Sequence, residues 1–145
     1  MILYTAIYKL AIGAYSVAIR ITALFKNKAR LFIDGRQGLL PKMRSAFEQE
    51  KRKSIWMHCA SLGEFEQGRP VLEALRNKHP EYAIVVTFFS PSGYEVRKDY
   101  KGADHVYYLP MDTRNNANEF LDIVRPEVCI FVKYEFWYYY LKAIK

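Results

Sequence analysis

From Ser54 onward the chain alternates between two kinds of segment, and this alternation constrains its fold more than any other feature. Residues 55–60, 83–89 ("AIVVTFF"), 105–109 and 128–133 ("VCIFVK") are short, nearly continuous apolar runs. Each is too short for a core helix, and three are bounded by turn or breaker residues, so each reads as a buried strand. Between them lie segments with helical spacing: residues 64–78, the stretch "SPSGYEVRKDY", residues 113–124 ahead of Pro126, and residues 135–145. Apolar strands alternating with helices predict a parallel sheet covered on both faces, joined by right-handed crossovers. The expected class is therefore α/β, with a Rossmann-like parallel sheet of order 3-2-1-4 over residues 54–145. The chain ends in "LKAIK", inside a helical pattern after only four strands. This reads as the front part of a longer, truncated protein.

The 145 residues suffice for one domain with a real core, and a 51% hydrophobic composition argues against global disorder. The net charge of +7 is unevenly placed: residues 1–53 carry 11 Lys/Arg against 3 Asp/Glu, whereas residues 54–145 carry 11 against 12. A nucleic-acid binder would place its charge on a domain face with interleaved aromatics. Here it flanks an apolar stretch, the pattern of a membrane-surface segment, so a membrane is the expected partner and nucleic acid is not. Residues 2–25 are mostly apolar, and as a helix they would run about 36 Å, enough for a hydrocarbon core of about 30 Å. Thr5, Lys9, Ser16 and Arg20 fall on one narrow stripe of that helix, close to Gly13. Such a helix can lie in the bilayer interface, span it, or pack on the domain. A secretory signal is disfavoured by the long apolar stretch and by the basic residues after it. Lys26, Lys28, Arg30 and Arg36 instead place the following domain on the cytoplasmic face of the membrane. Residues 1–25 are thus expected as a membrane-anchor helix. Residues 26–53 are expected as a basic connector, with "EQEKRK" a solvated charge run. Cys59 and Cys129 lack metal-ligand spacing and read as reduced core thiols.

The candidate chemistry sits in "ASLGEFEQGRP", between the first strand and the first helix of the alternation. Ser61-Leu62-Gly63-Glu64 fits an ordinary capping box, with Ser61 as the cap and Glu64 reaching back to it. No G-x-G-x-x-G or Walker lysine accompanies Gly63, so neither a nucleotide cradle nor a cofactor is expected here. Topology adds a second role. In an open doubly wound sheet the ligand crevice lies off the carboxyl ends of the strands where strand order reverses, here between strands 1 and 4. Glu64 follows strand 1 and Glu135, in "VKYEFWYYY", follows strand 4. Two carboxylates at one crevice can be tuned apart for proton transfer. Ser90, Ser92 and Gly93 follow strand 2 at the same edge and suit either a helix cap or a ligand contact. His58, His79 and His105 lack metal-site spacing and are expected at the surface or at strand ends. Trp137 and the tyrosines after it read as core or cleft packing.

Together, "WMHCASLGEFEQGRPVLEALRNKHP", "VTFFSPSG", "VYYLPMDT" and "FVKYEFW" resemble the N-terminal half of the 3-deoxy-D-manno-octulosonic acid (Kdo) transferases, and the likeness extends to the apolar N-terminus and "GRQGLLPKM". The resemblance implies the N-terminal domain of a two-domain GT-B glycosyltransferase, preceded by a membrane-anchor helix. It implies inverting, metal-independent and cofactor-free transfer of Kdo from CMP-Kdo to a lipid A precursor, with this chain as the acceptor side and inactive alone. Through the S-x-G-E motif it assigns the general base to Glu64, and through E-x-W a second essential acid to Glu135. Ser61, Gly63, Ser92 and Gly93 are the expected acceptor contacts. CMP-Kdo contacts are expected in the C-terminal domain. Many members continue E-x-W with proline, whereas Tyr138 follows Trp137 here; this is expected to alter the helix start and not the chemistry. The alternatives are another GT-B enzyme acting on a lipid-linked sugar, or a non-catalytic, membrane-tethered lipid-binding domain.

Overall fold

In the computed structural model, which describes residues 2–144, four strands pair in parallel in the order β3-β2-β1-β4. They are β1 (Ser54–Cys59), β2 (Ala83–Phe88), β3 (His105–Tyr108) and β4 (Pro126–Phe131). β1 runs in register with β2 from Ser54↔Ala83 to Cys59↔Phe88. On its other side β1 meets β4, with a register shift beside Ser54. Strand order therefore reverses at β1, and the switch point lies between β1 and β4.

The strand alternation sorts side chains into two cores. Ile55, Met57 and Cys59 of β1 join Ile84, Val86 and Phe88 of β2 under α4 (Leu62–Lys78) and α5 (Pro91–Arg97). Trp56 and Val85 face the other way, against α3 (Leu39–Phe47), α6 (Arg114–Val124) and α7 (Tyr138–Ala143). Both faces of β1 and β2 are covered, as the apolar runs require. β4 is an edge strand and stays partly open, with Val128 exposed. Pro126 begins it, where a missing N–H costs no ladder bond.

The first 53 residues depart from expectation in two respects. Residues 26–53, expected as a basic connector, contain two short helices. α2 (Asn27–Asp34) and α3 bury Ala29, Phe32, Leu39, Met43 and Phe47. The apolar spacing within "NKARLFID" and "LLPKMRSAF" is helical, but each run is too short to stand out beside its basic residues. Nor is "EQEKRK" wholly solvated. Arg52 binds Glu50 (2.6 Å) and Asp104 (3.1 Å), fastening the entry of β1 to the turn before β3. α1 (Ile2–Ala23) lies along the domain on one stripe. Tyr8 donates to Asp112 (2.5 Å), and Tyr15 packs on Phe32 and Phe89. Lys9 and Arg20 of the polar stripe stay exposed beside this contact. The outer face, with Leu3, Leu10, Val17 and Ile21, is exposed and apolar. The last expected helix begins at Tyr138 and not at Glu135. Trp137 is its N-cap and Tyr138 takes the first helical position, where proline would also be accepted. The end of that expected helix, Lys145, lies outside the described residues.

Candidate active site

The candidate site lies where β1 and β4 release the chain, at the carboxyl ends of the strands. After β1, Ser61 adopts extended backbone as the N-cap of α4, and a capping box closes across Ser61 and Glu64. Glu64 Oε2 accepts the N–H of Ala60 (2.5 Å) and of Ser61 (3.2 Å). One oxygen of the carboxylate is thus fixed by the turn, and Oε1 makes no hydrogen bond among the described residues. Gly63 is exposed beside it, and a Cβ at that position would meet nothing within 4 Å. The turn therefore keeps open space next to the half-buried Glu64.

After β4 the chain turns through Lys133, whose φ of 65° is the left-handed region that a non-glycine residue seldom adopts. This turn sorts the following residues by side. Tyr134 (84% exposed) and Phe136 (74%) point out, whereas Glu135 and Trp137 are half-buried. The indole N–H of Trp137 donates to Glu135 Oε2 (2.8 Å) and also reaches His58 Nε2 (3.2 Å). Glu135 Oε2 stands 3.4 Å from His58 Nε2. The Trp137 ring lies on Phe89, 4.6 Å between centroids, which links this loop to the end of β2.

Of the two places expected for His58, the structure takes the strand end: it is the penultimate residue of β1, and it is wholly buried there. Nδ1 lies 2.9 Å from Thr87 Oγ1, which also accepts the Trp56 indole N–H (2.8 Å). Burial pushes the imidazole below its ordinary value, against the pull of Glu135. The imidazole of His58 beside it, helped by the Trp137 N–H, holds the Glu135 carboxyl below the usual range. Both shifts favour the same state near neutral pH, with ionised Glu135 beside a neutral imidazole. Glu64 and Glu135 both act electrostatically on the buried Cys59 and on His58. The one sequence signal that could have found His58 was its place inside an otherwise apolar strand, where a buried imidazole requires partners.

The remaining expected site residues divide. Ser90 caps α5 and accepts the Ser92 N–H (3.3 Å), and the two hydroxyls lie 3.0 Å apart. Ser92 is exposed at the same sheet edge. Gly93 is buried against the Phe88 ring. His79 caps the end of α4 beside Glu81, and His105 stacks on Phe47. Cys59 and Cys129 are free thiols. No group of three His, Cys, Asp or Glu side chains is placed to hold a metal ion among the described residues.

A parallel sheet covered on both faces, with an acidic side chain after each of the two strands at its switch point, defines a doubly wound α/β domain. A family model described as 3-deoxy-D-manno-octulosonic-acid transferase (kdotransferase) matches residues 33–145. The chain belongs to this family. A 3-deoxy-D-manno-octulosonic acid transferase of Haemophilus influenzae is 33% identical over 86 residues, 59% of this chain and 20% of the relative. The Aquifex aeolicus protein of the same name is 34% identical over 85 residues, 58% of this chain and 23% of the relative. A bifunctional glycosyltransferase/methyltransferase of Fusobacterium nucleatum is 27% identical over 138 residues, 93% of this chain and 20% of the relative. The chain thus spans about a fifth of the length of the curated relatives it matches.

Proposed function

We propose that the chain supplies the acceptor side of a Kdo transferase, which moves Kdo from CMP-Kdo to a lipid A precursor. The observation that carries this reading is a pair of carboxylates at the β1/β4 switch point, each held through one oxygen. The acceptor sugar hydroxyl binds beside Gly63, in hydrogen-bond reach of Glu64 Oε1. As the hydroxyl oxygen bonds to the anomeric carbon of Kdo, its proton passes to Glu64. The bond to CMP breaks with its electron pair and CMP departs as an anion. In-line attack inverts the anomeric centre. Ionised Glu135 lies across the crevice and stabilises the positive charge that develops on the Kdo ring.

The same proposal places the protein on the cytoplasmic face of the inner membrane. α1 touches the domain at Tyr8 and again at Tyr15, about 10 Å further along its axis at 1.5 Å per residue. A helix held along its side in this way lies in the interface with the outer apolar face in lipid. Lys26, Lys28 and Arg30 follow at the headgroup level.

The test follows CMP release from CMP-Kdo with a lipid A precursor, in a polypeptide that also carries a transferase C-terminal domain. Glu64→Gln retains the carbonyl oxygen that accepts the Ala60 and Ser61 N–H groups. Loss of a general base lowers turnover about 10²–10⁴-fold with the fold intact. Near-parental turnover would return Glu64 to helix capping alone. Glu66→Gln is the control: Glu66 serves Arg97 and Arg69 across the surface and should change turnover little.

A further inference from the structure

The bonds around His58 specify its proton. An indole N–H only donates, so its approach to His58 Nε2 (3.2 Å) is a hydrogen bond when that nitrogen carries the lone pair. We assign the neutral ring this tautomer, with its proton on Nδ1 and given to Thr87 Oγ1 (2.9 Å). A chain of polar contacts results: the Trp56 indole and His58 share Thr87, and the Trp137 indole then joins His58 to Glu135. It begins in the core and ends on a half-exposed carboxylate.

We infer that His58 is a positioning residue that acts through Trp137 to hold Glu135 Oε2 at the crevice and leave Oε1 to the reacting sugar. This rests on the reading of Glu135 given above. Packing alone does not account for the arrangement, because a leucine would fill the strand position without the cost of burying an imidazole. The loop after β4 also needs the tether: Lys133 has a left-handed backbone, and Tyr134 and Phe136 extend into solvent. The charged and titratable groups that face His58 are Glu135 and, through space, Glu64, with Cys59 adjoining in β1. A proton added at Nε2 would fall between that atom and Glu135 Oε2 (3.4 Å) and release the Trp137 N–H wholly to the carboxylate.

Nitrogen-15 imidazole and indole NMR on this chain tests the inference. The expected His58 spectrum is a neutral ring protonated on Nδ1, with a Trp137 indole N–H shifted by its two acceptors. His58→Leu should move that indole resonance to an unbonded position and alter the titration of the Glu135 carboxyl carbon. His58→Gln, whose amide oxygen can accept the indole N–H, should restore part of both signals. If His58→Leu does not fold, Trp137→Phe leaves the β1 core intact and should alter the Glu135 titration in the same way. An Nε2-protonated ring would overturn the inference, as would a Trp137 signal and Glu135 titration indifferent to these changes. Turnover separates the two readings. With Glu135 misplaced by about 1 Å, kcat should fall on the order of 10²-fold with KM little changed. If the spectra shift while Glu135→Gln turns over normally, the tether stands and the catalytic reading of Glu135 fails.

Discussion

Two glycines expected to line the acceptor site should respond oppositely to alanine, for reasons set by their surroundings. At Gly93 an added Cβ would sit 2.2 Å from Phe88 Cδ1 and 2.7 Å from Cε1. Phe88 is fully buried, with its ring against Phe65 at 5.5 Å between centroids, so it cannot swing aside. Relief requires α5 to lift by about 1 Å from β2. Overpacking of this kind costs about 1–3 kcal/mol, and a contact this short belongs at the upper end. Alanine returns up to about 1 kcal/mol through helix propensity. The net loss is about 2 kcal/mol, or a fall in Tm of about 4–8 °C for a chain of this length. At Gly63 the Cβ meets nothing within 4 Å, so Gly63→Ala should be neutral or up to about 1 kcal/mol more stable. Urea and thermal unfolding followed by circular dichroism would measure both. A Gly93→Ala chain as stable as the parent would refute the packing account. Gly63→Ala carries a second readout. A methyl group in space reserved for the acceptor should raise KM although the fold is unharmed.

Two further outcomes follow from other parts of the molecule. Arg52 holds the Glu50 carboxyl down to about 2 through hydrogen bonding; Asp104, despite the opposing effect of burial, is held below the usual range by the Ile84 N–H and Arg52. Folded values below unfolded ones give stability that is complete above about pH 4.5 and lost as pH falls towards 2. Arg52→Gln should therefore flatten Tm against pH in that window, and an unchanged slope would reject the knot as its cause. At the membrane, Leu10→Glu combined with Ile21→Glu changes only the exposed face of α1. Each removes about 1.5–3 kcal/mol of apolar burial, so vesicle flotation should fall at least 100-fold with Tm unchanged. Undiminished flotation would mean that this face does not enter lipid.

The fold was legible because β1, β2 and β3 are buried enough to be written as apolar runs, and their order follows from the crossover rules. Glu64 was legible as a capping-box residue, and Glu135 as an acid at the matching position after β4. Three features were hidden for different physical reasons. α2 and α3 escaped because eight- and nine-residue helices carry only two or three buried side chains each, too few for a clear period beside so many cations. The packing of Gly93 on Phe88 was hidden because that ring is close in space but belongs to the preceding strand. His58 was hidden because its partners come from β2 and from the loop after β4, at sequence separations of 29, 77 and 79 residues. Spacing along a chain does not report contacts between strands whose register is set by the sheet.

The N-terminal helix bears on the loop that carries Glu135 through one buried carboxylate, Asp112. Asp112 is almost completely buried, and its carboxylate accepts the backbone N–H groups of Tyr139 (3.1 Å) and Tyr140 (3.2 Å) as well as the hydroxyl of Tyr8 (2.5 Å). It caps α7 at the end that follows Glu135 and Trp137. A buried carboxylate needs several donors to offset its lost hydration, and one of those donors comes from α1. The helix proposed to lie in the membrane thus completes the charge-satisfying shell of the residue that holds the loop after β4 from behind, while Trp137 joins the front of that loop to His58. Held at both ends, a turn with a left-handed Lys133 can keep one carboxylate oxygen directed into the crevice.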